Sequence, residues 1–127
     1  MRLTPFALAL AALSLSAPEI ASAHAQLVAS TPAANASVRS PAKIELRFNE
    51  VVNGAIVRAE VAMTAMPGMG AHAPMPISGF TMRLGKDRKS LTLQLGRPLS
   101  AGTYRVTWSA AGADKHRRGG NFSFTVG

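Results

Sequence analysis

The chain has 127 residues, fourteen Lys and Arg against six Asp and Glu, a formal charge of +8 and no cysteine. That length holds one ordinary domain and no second large one. The missing cysteines exclude a disulfide framework, so packing alone must hold the fold. The first segment, "MRLTPFALALAALSLSAPEIASA", has basic Arg2, an apolar run from Phe6 to Leu15 and the ending Ala21-Ser22-Ala23. This is the charged, apolar and small-residue pattern of a secretory signal peptide. The apolar run falls short of the ~20 residues of a membrane-spanning helix. The boundaries read from it are a cleaved leader, 1–23, and one exported domain, 24–127, that starts at His24 and has no transmembrane segment. Its basic charge favours anionic surfaces such as phospholipid head groups or an acidic partner. Nucleic acid is not expected, since the chain is exported and lacks the aromatic interleaving of a single-strand binder.

From His24 onward the dominant period is two. A first strand is expected near Gln26–Ser30. In "KIELRF", Ile44, Leu46 and Phe48 alternate with Lys43, Glu45 and Arg47. "IVRAEVAM" places Val57, Ala59, Val61 and Met63 on one face. A weaker strand is expected at Ile77–Leu84. "SLTLQL", "TYRVTW" and "NFSFTV" again alternate apolar with polar residues. These patterns describe half-buried strands. The breaks, "STPAANASVRSPA", "LGKDRKS" and "GRPLSAG", carry turn chemistry. About seven short strands in roughly 100 residues predict an all-β, antiparallel, Greek-key β-sandwich of the Ig-like kind. A small barrel fits the same pattern.

Three places stand out chemically. His24, as a first residue, offers an α-amine and an imidazole that together chelate a metal. Nitrogen donors in a square arrangement suit Cu(II). Asp114 and His116 in "DKH" point to the same side if the segment is extended, with Lys115 opposite. Glu50, after "KIELRF", can add a carboxylate. Each has a plain alternative: an unremarkable first residue, a solvated loop, and a charge at a strand end. The third place is "MTAMPGMGAHAPMP", which holds Met63, Met66, Met69 and Met75 together with His72. Pro67, Gly68 and Gly70 interrupt any helix there, so the sulfurs are expected on a loop. Thioethers are soft, neutral donors that prefer Cu(I). The alternative is an adaptable apolar surface for a partner.

Several of these segments, in this order, resemble the CopC family of periplasmic copper-binding proteins. They are "HAQLVASTPA", "PAKIELRFNE", "MTAMPGM" with "HAPM", and "AGTYRVTWSAAGADKH", and together they span nearly all of residues 24–127. The resemblance implies a cupredoxin-like sandwich that buffers or carries copper in the periplasm for copper resistance and homeostasis. It implies Cu(II) held by His24, Asp114 and His116, with Glu50 as ligand or neighbour. It also implies Cu(I) held by a subset of Met63, Met66, Met69, His72 and Met75. A copper transporter of the CopD type in the inner membrane is the implied partner, and the protein is expected to be a monomer and not an enzyme. Two departures stand out. Arg117 and Arg118 follow His116 where the family often has proline. One extra residue separates Met69 from His72. An enzymatic alternative is a copper-dependent polysaccharide monooxygenase, which shares an N-terminal histidine chelate. A metal-free partner-binding sandwich is the other.

Overall fold

The computed structural model describes residues 25–127; the leader and His24 lie outside the described residues. Nine strands follow in order: β1 (Leu27–Thr31), β2 (Ser37–Val38), β3 (Lys43–Phe48), β4 (Arg58–Met66), β5 (Gly70–Pro76), β6 (Thr81–Leu84), β7 (Ser90–Gln94), β8 (Gly102–Ala111) and β9 (Arg117–Val126). They form a four-stranded sheet, β1-β3-β7-β6, facing a five-stranded sheet, β2-β9-β8-β4-β5. All pairings are antiparallel except the short β2–β9 contact. The β-sandwich expected from the period-two pattern is confirmed.

The alternation read from the sequence is the alternation of burial. Ile44, Leu46 and Phe48 from β3, and Leu91 and Leu93 from β7, meet Val61, Met63, Tyr104, Val106, Trp108, Phe122 and Phe124 from the other sheet. No polar or charged residue is buried among the described residues. Each large side chain removed from water contributes roughly 1.5–3 kcal/mol. Two ring pairs bridge or line the layers. Phe48 meets Trp108 edge-on at 5.5 Å, and Tyr104 stacks on Phe124 at 5.8 Å. The Tyr104 hydroxyl donates to the Ser100 carbonyl at 2.7 Å and ties down the β7–β8 connection.

Two of the nine strands exceed the seven expected. β2 is two residues long, too short for a period to register. β5 lies in the methionine segment, where a loop was expected, and forms a hairpin with β4 around Pro67-Gly68-Met69. Gly68 and Gly70 take left-handed φ values of 80° and 69°, which glycine adopts without a Cβ penalty. Pro74 and Pro76 disguise β5 in the sequence. A sheet edge tolerates them, because one side of an edge strand needs no donors.

Gly102 opens β8 with a φ of 153°, and a Cβ there would stand 2.7 Å from the Ala65 carbonyl oxygen and 3.0 Å from Met63 Cε. Both the conformation and the backbone contact resist a side chain. Gly102→Ala should lower the unfolding free energy by about 1–3 kcal/mol, read as a reduced urea midpoint with an unchanged slope. An unchanged midpoint would show that β4 and β8 have room at this end.

Candidate metal sites at the two ends of the sandwich

The chain enters the fold beside the β8–β9 turn. Ala25, which follows His24, is fully buried. The Gln26 amide donates to Asn49 Oδ1 at 2.8 Å, and the Asn49 amide donates to the Gln26 carbonyl at 3.0 Å. These reciprocal bonds fix Gln26, two residues after His24, against Asn49 at the end of β3. Ala25, Gln26 and Leu27 line a small cleft with Trp108, Arg118 and Gly119. Asn49 was not singled out in the sequence, where one more asparagine at a strand end carries no signal.

Asp114 and His116 come together, but not through an extended segment. Residues 112–115 make a tight turn in which the Lys115 amide donates to the Gly112 carbonyl at 3.0 Å, and Lys115 takes a left-handed φ of 63°. Asp114 Oδ1 accepts from the His116 amide at 3.0 Å, while Oδ2 stands 3.5 Å from His116 Nδ1. An aspartate that bonds the backbone two residues on favours such a turn over a strand. The shared side expected of an extended segment is thus produced by a turn. The Asp114 side chain is only 16% exposed, whereas that of His116 is 74% exposed.

Glu50 stands across from this turn, in a groove of about 530 Å³ that also includes Asn53, Gly112 and Lys115. Its Oε2 is buried with no hydrogen-bond partner among the described residues. No three of the described His, Asp and Glu residues form a ready-made metal cluster. Arg117 turns away from the acid turn: its Nη1 donates to the Ile56 carbonyl and to Ser109 Oγ, both at 3.1 Å.

The methionines occupy the opposite end, along β8 from Ala111 to Gly102, a span of roughly 30 Å at strand rise. In a regular strand, residues three apart face opposite ways. Here the register of β4 shifts between Met63 and Ala65: Met63 pairs with Tyr104, and Ala65 already pairs with Thr103. Thr64 is the extra residue, and this bulge returns Met66 to the inner face. Met75 pairs with Met63 on the other side. Met63, Met66 and Met75 therefore line one groove of about 700 Å³, with Ile77, Arg97 and Tyr104 among its other walls. Met63 is 6% exposed and also serves the core, while Met69 stands at the turn, 71% exposed.

The same register shift is larger on β5. Between Met75 and Ala71, three residues of β5, 72 to 74, face Thr64 alone. Within that bulge His72 Nδ1 lies 2.7 Å from the Ala73 carbonyl, and Nε2 is buried without a hydrogen-bond partner among the described residues. A carbonyl only accepts, so Nδ1 carries the proton, and in the neutral ring Nε2 keeps its lone pair. That is the arrangement of a histidine ready to bind a metal through Nε2.

The fold and its two ends define a small all-β sandwich with a histidine–carboxylate turn at one pole and a thioether-lined groove at the other. The chain belongs to the CopC family, whose domain matches residues 27–127. It is 42% identical over 106 residues to copper resistance protein C of Escherichia coli, covering 84% of this chain and 83% of that one. It is also 42% identical over 107 residues to copper resistance protein C of Pseudomonas syringae pv. tomato, covering 84% and 83%. The crystal structure of PcoC, a methionine-rich copper resistance protein from Escherichia coli, aligns with a TM-score of 0.75 at 40% identity. That alignment covers 83% of this chain and all of that one.

The His72 geometry has a direct spectroscopic consequence. In metal-free protein above the histidine titration range, ¹⁵N NMR should show the Nδ1-protonated tautomer at His72. Nε2 protonation at His72 would contradict the bond to Ala73.

Proposed function

We propose that this protein binds copper in the periplasm and serves copper resistance by buffering or carrying it, with Cu(II) at the histidine end and Cu(I) at the methionine end. The observation that carries this reading is the separation of two donor sets of different softness at opposite poles of one sandwich. Met63, Met66 and Met75 share a groove, Met69 is in the adjoining turn, and His72 offers an unpartnered Nε2 on the same hairpin. Thioethers and a neutral imidazole suit Cu(I), and neither the thioether nor the neutral ring must lose a proton to bind. At the other pole, the α-amine and imidazole of His24, His116 and an Asp114 oxygen make a nitrogen-rich set for Cu(II). Glu50 stands beside them as ligand or neighbour. The burial of Ala25 next to this pole supports a role for His24.

The leader 1–23 supports export to the periplasm, and among the described residues no helix is long and apolar enough to cross a membrane. A copper transporter of the CopD type in the inner membrane is the proposed recipient or source, and the working form is a monomer. The reading is non-enzymatic. Trp108 and Tyr104 are 8% and 1% exposed, so neither offers the exposed aromatic platform that a polysaccharide oxidase would use. Peroxide-driven oxidation of chitin or cellulose by the copper-loaded protein should be absent.

Competition titrations test the two sites separately. Met66→Leu with Met69→Leu nearly keeps volume and should leave the fold and Cu(II) affinity intact while Cu(I) affinity falls by more than about tenfold. His116→Phe should do the reverse. Equal loss of both ions in either variant would indicate one shared site and sink the two-site reading.

Processing gives a sharper test. The α-amine of His24 exists only if cleavage follows Ala23, and with a pKa near 8 it must lose its proton to copper around neutral pH. A preparation beginning at Ala23 turns that amine into an amide and keeps the imidazole. Its Cu(II) affinity should drop by more than the ~10–100-fold typical of losing a supporting partner, with Cu(I) affinity as internal control. Equal Cu(II) affinity in preparations starting at His24 and at Ala23 would remove the amine from the site.

A further inference from the structure

The positive charge is concentrated at one pole. At the histidine end, the β6–β7 turn carries Lys86, Arg88 and Lys89, and the β8–β9 turn and the start of β9 carry Lys115, Arg117 and Arg118. Arg47 and Arg58 add to them from the end of β3 and the start of β4. These eight cations face three carboxylates, Glu50, Asp87 and Asp114. Asp87 is already engaged, 3.7 Å from Arg47 and accepting from the Lys89 amide. Among the described residues the methionine end carries Arg39, Lys43 and Arg97, with Glu45 3.7 Å from Lys43, and Arg83 and Arg105 lie on β6 and β8 between the two ends.

Backbone bonds bring the cationic turns together as one surface. The Phe48 amide donates to the Lys89 carbonyl at 2.7 Å, and the Val52 amide to the Arg88 carbonyl at 2.9 Å. The Asn53 amide donates to the Ala111 carbonyl at 2.9 Å. Arg88 and Lys89 therefore face Lys115 across the groove beside Glu50. On its rim Val51 is 45% exposed, although Val52 beside it is fully buried. Val51 is thus an exposed aliphatic side chain that lines the same groove as the exposed cations Arg88, Lys89 and Lys115.

We propose that this pole docks on an anionic phospholipid surface. The cations come from separate turns, are exposed, and cover a whole end of the molecule. Such a surface reads charge density rather than the shape of one partner. Val51 adds an apolar contact that a head-group layer accepts and that an acidic protein surface does not require. Docking in this orientation turns the histidine end to the membrane and the methionine groove outward. The inference stands apart from copper binding, because charge and Val51 carry it in the metal-free protein.

The test is flotation of metal-free protein, beginning at His24, with vesicles of phosphatidylglycerol and phosphatidylcholine or of phosphatidylcholine alone, at 0.1 M salt. Binding should require the anionic lipid and weaken as salt rises. Lys86→Gln/Arg88→Gln/Lys89→Gln should reduce partitioning on the order of a hundredfold. Arg39→Gln/Lys43→Gln/Arg97→Gln, with the same loss of charge, should reduce it by less than about threefold. Arg88 takes a left-handed φ of 59°, so a Lys86→Gln/Lys89→Gln variant keeps that residue and should give an intermediate loss. Urea midpoints check that each variant is folded. Equal losses from the two triple variants would overturn oriented docking. Absence of binding to anionic vesicles would overturn the proposal outright, and salt-sensitive binding to polyglutamate in its place would assign the pole to an acidic protein.

Discussion

The inward row Tyr104, Val106, Trp108 and Ala110 is buried along nearly the whole of β8, and β8 pairs with β4 on one side and β9 on the other. Its two aromatic residues fix the two halves of the core, Trp108 against Phe48 and Tyr104 against Phe124. Tyr104 also walls the methionine groove, and Trp108 lines the cleft where the chain enters. One strand therefore sets the position of both poles. A shift of its register by one residue would expose the row and displace both ends together.

The separation of the poles follows from this strand's length. Donors at the acid turn and donors in the hairpin cannot share one ion, because the body of the sandwich lies between them. Their chemistry differs as well. Sheltered carboxylates and an exposed imidazole stand at one end, while thioether sulfurs and a buried ring nitrogen stand at the other. In the proposed reading, each pole can favour one oxidation state of copper without compromise from the other.

Much of this was legible in the chain because half-buried strands write their faces into the sequence. Ile44, Leu46 and Phe48, or Phe122, Phe124 and Val126, could be assigned to the core from alternation alone. The hairpin was less legible because its signal is irregular. Met63 and Met66 share a face only through the bulge at Thr64, and spacing alone cannot announce a bulge. The same holds for Asp114 and His116, whose side-by-side placement comes from a turn that a left-handed Lys115 makes possible. Lysine is not a usual mark of that conformation. Arg117 read as a cation beside the site, but its partners, the Ile56 carbonyl and Ser109, are distant in sequence and could not be inferred. His24 lies outside the described residues.

The irregular β5 also bears on how copies of this protein coexist. An edge strand in a sheet offers unpaired amides and carbonyls that can recruit another strand, and a protein built almost wholly of strands is exposed to that hazard. β5 forms the edge beyond β4. Its ladder is broken over residues 72 to 74, and Pro74 and Pro76 have no amide proton to offer. A neighbouring chain seeking to extend the sheet would find neither continuous register nor a full set of donors. The bulge that leaves His72 Nε2 without a partner thus also guards against edge-to-edge aggregation, so the segment with the least regular backbone helps keep the protein dispersed.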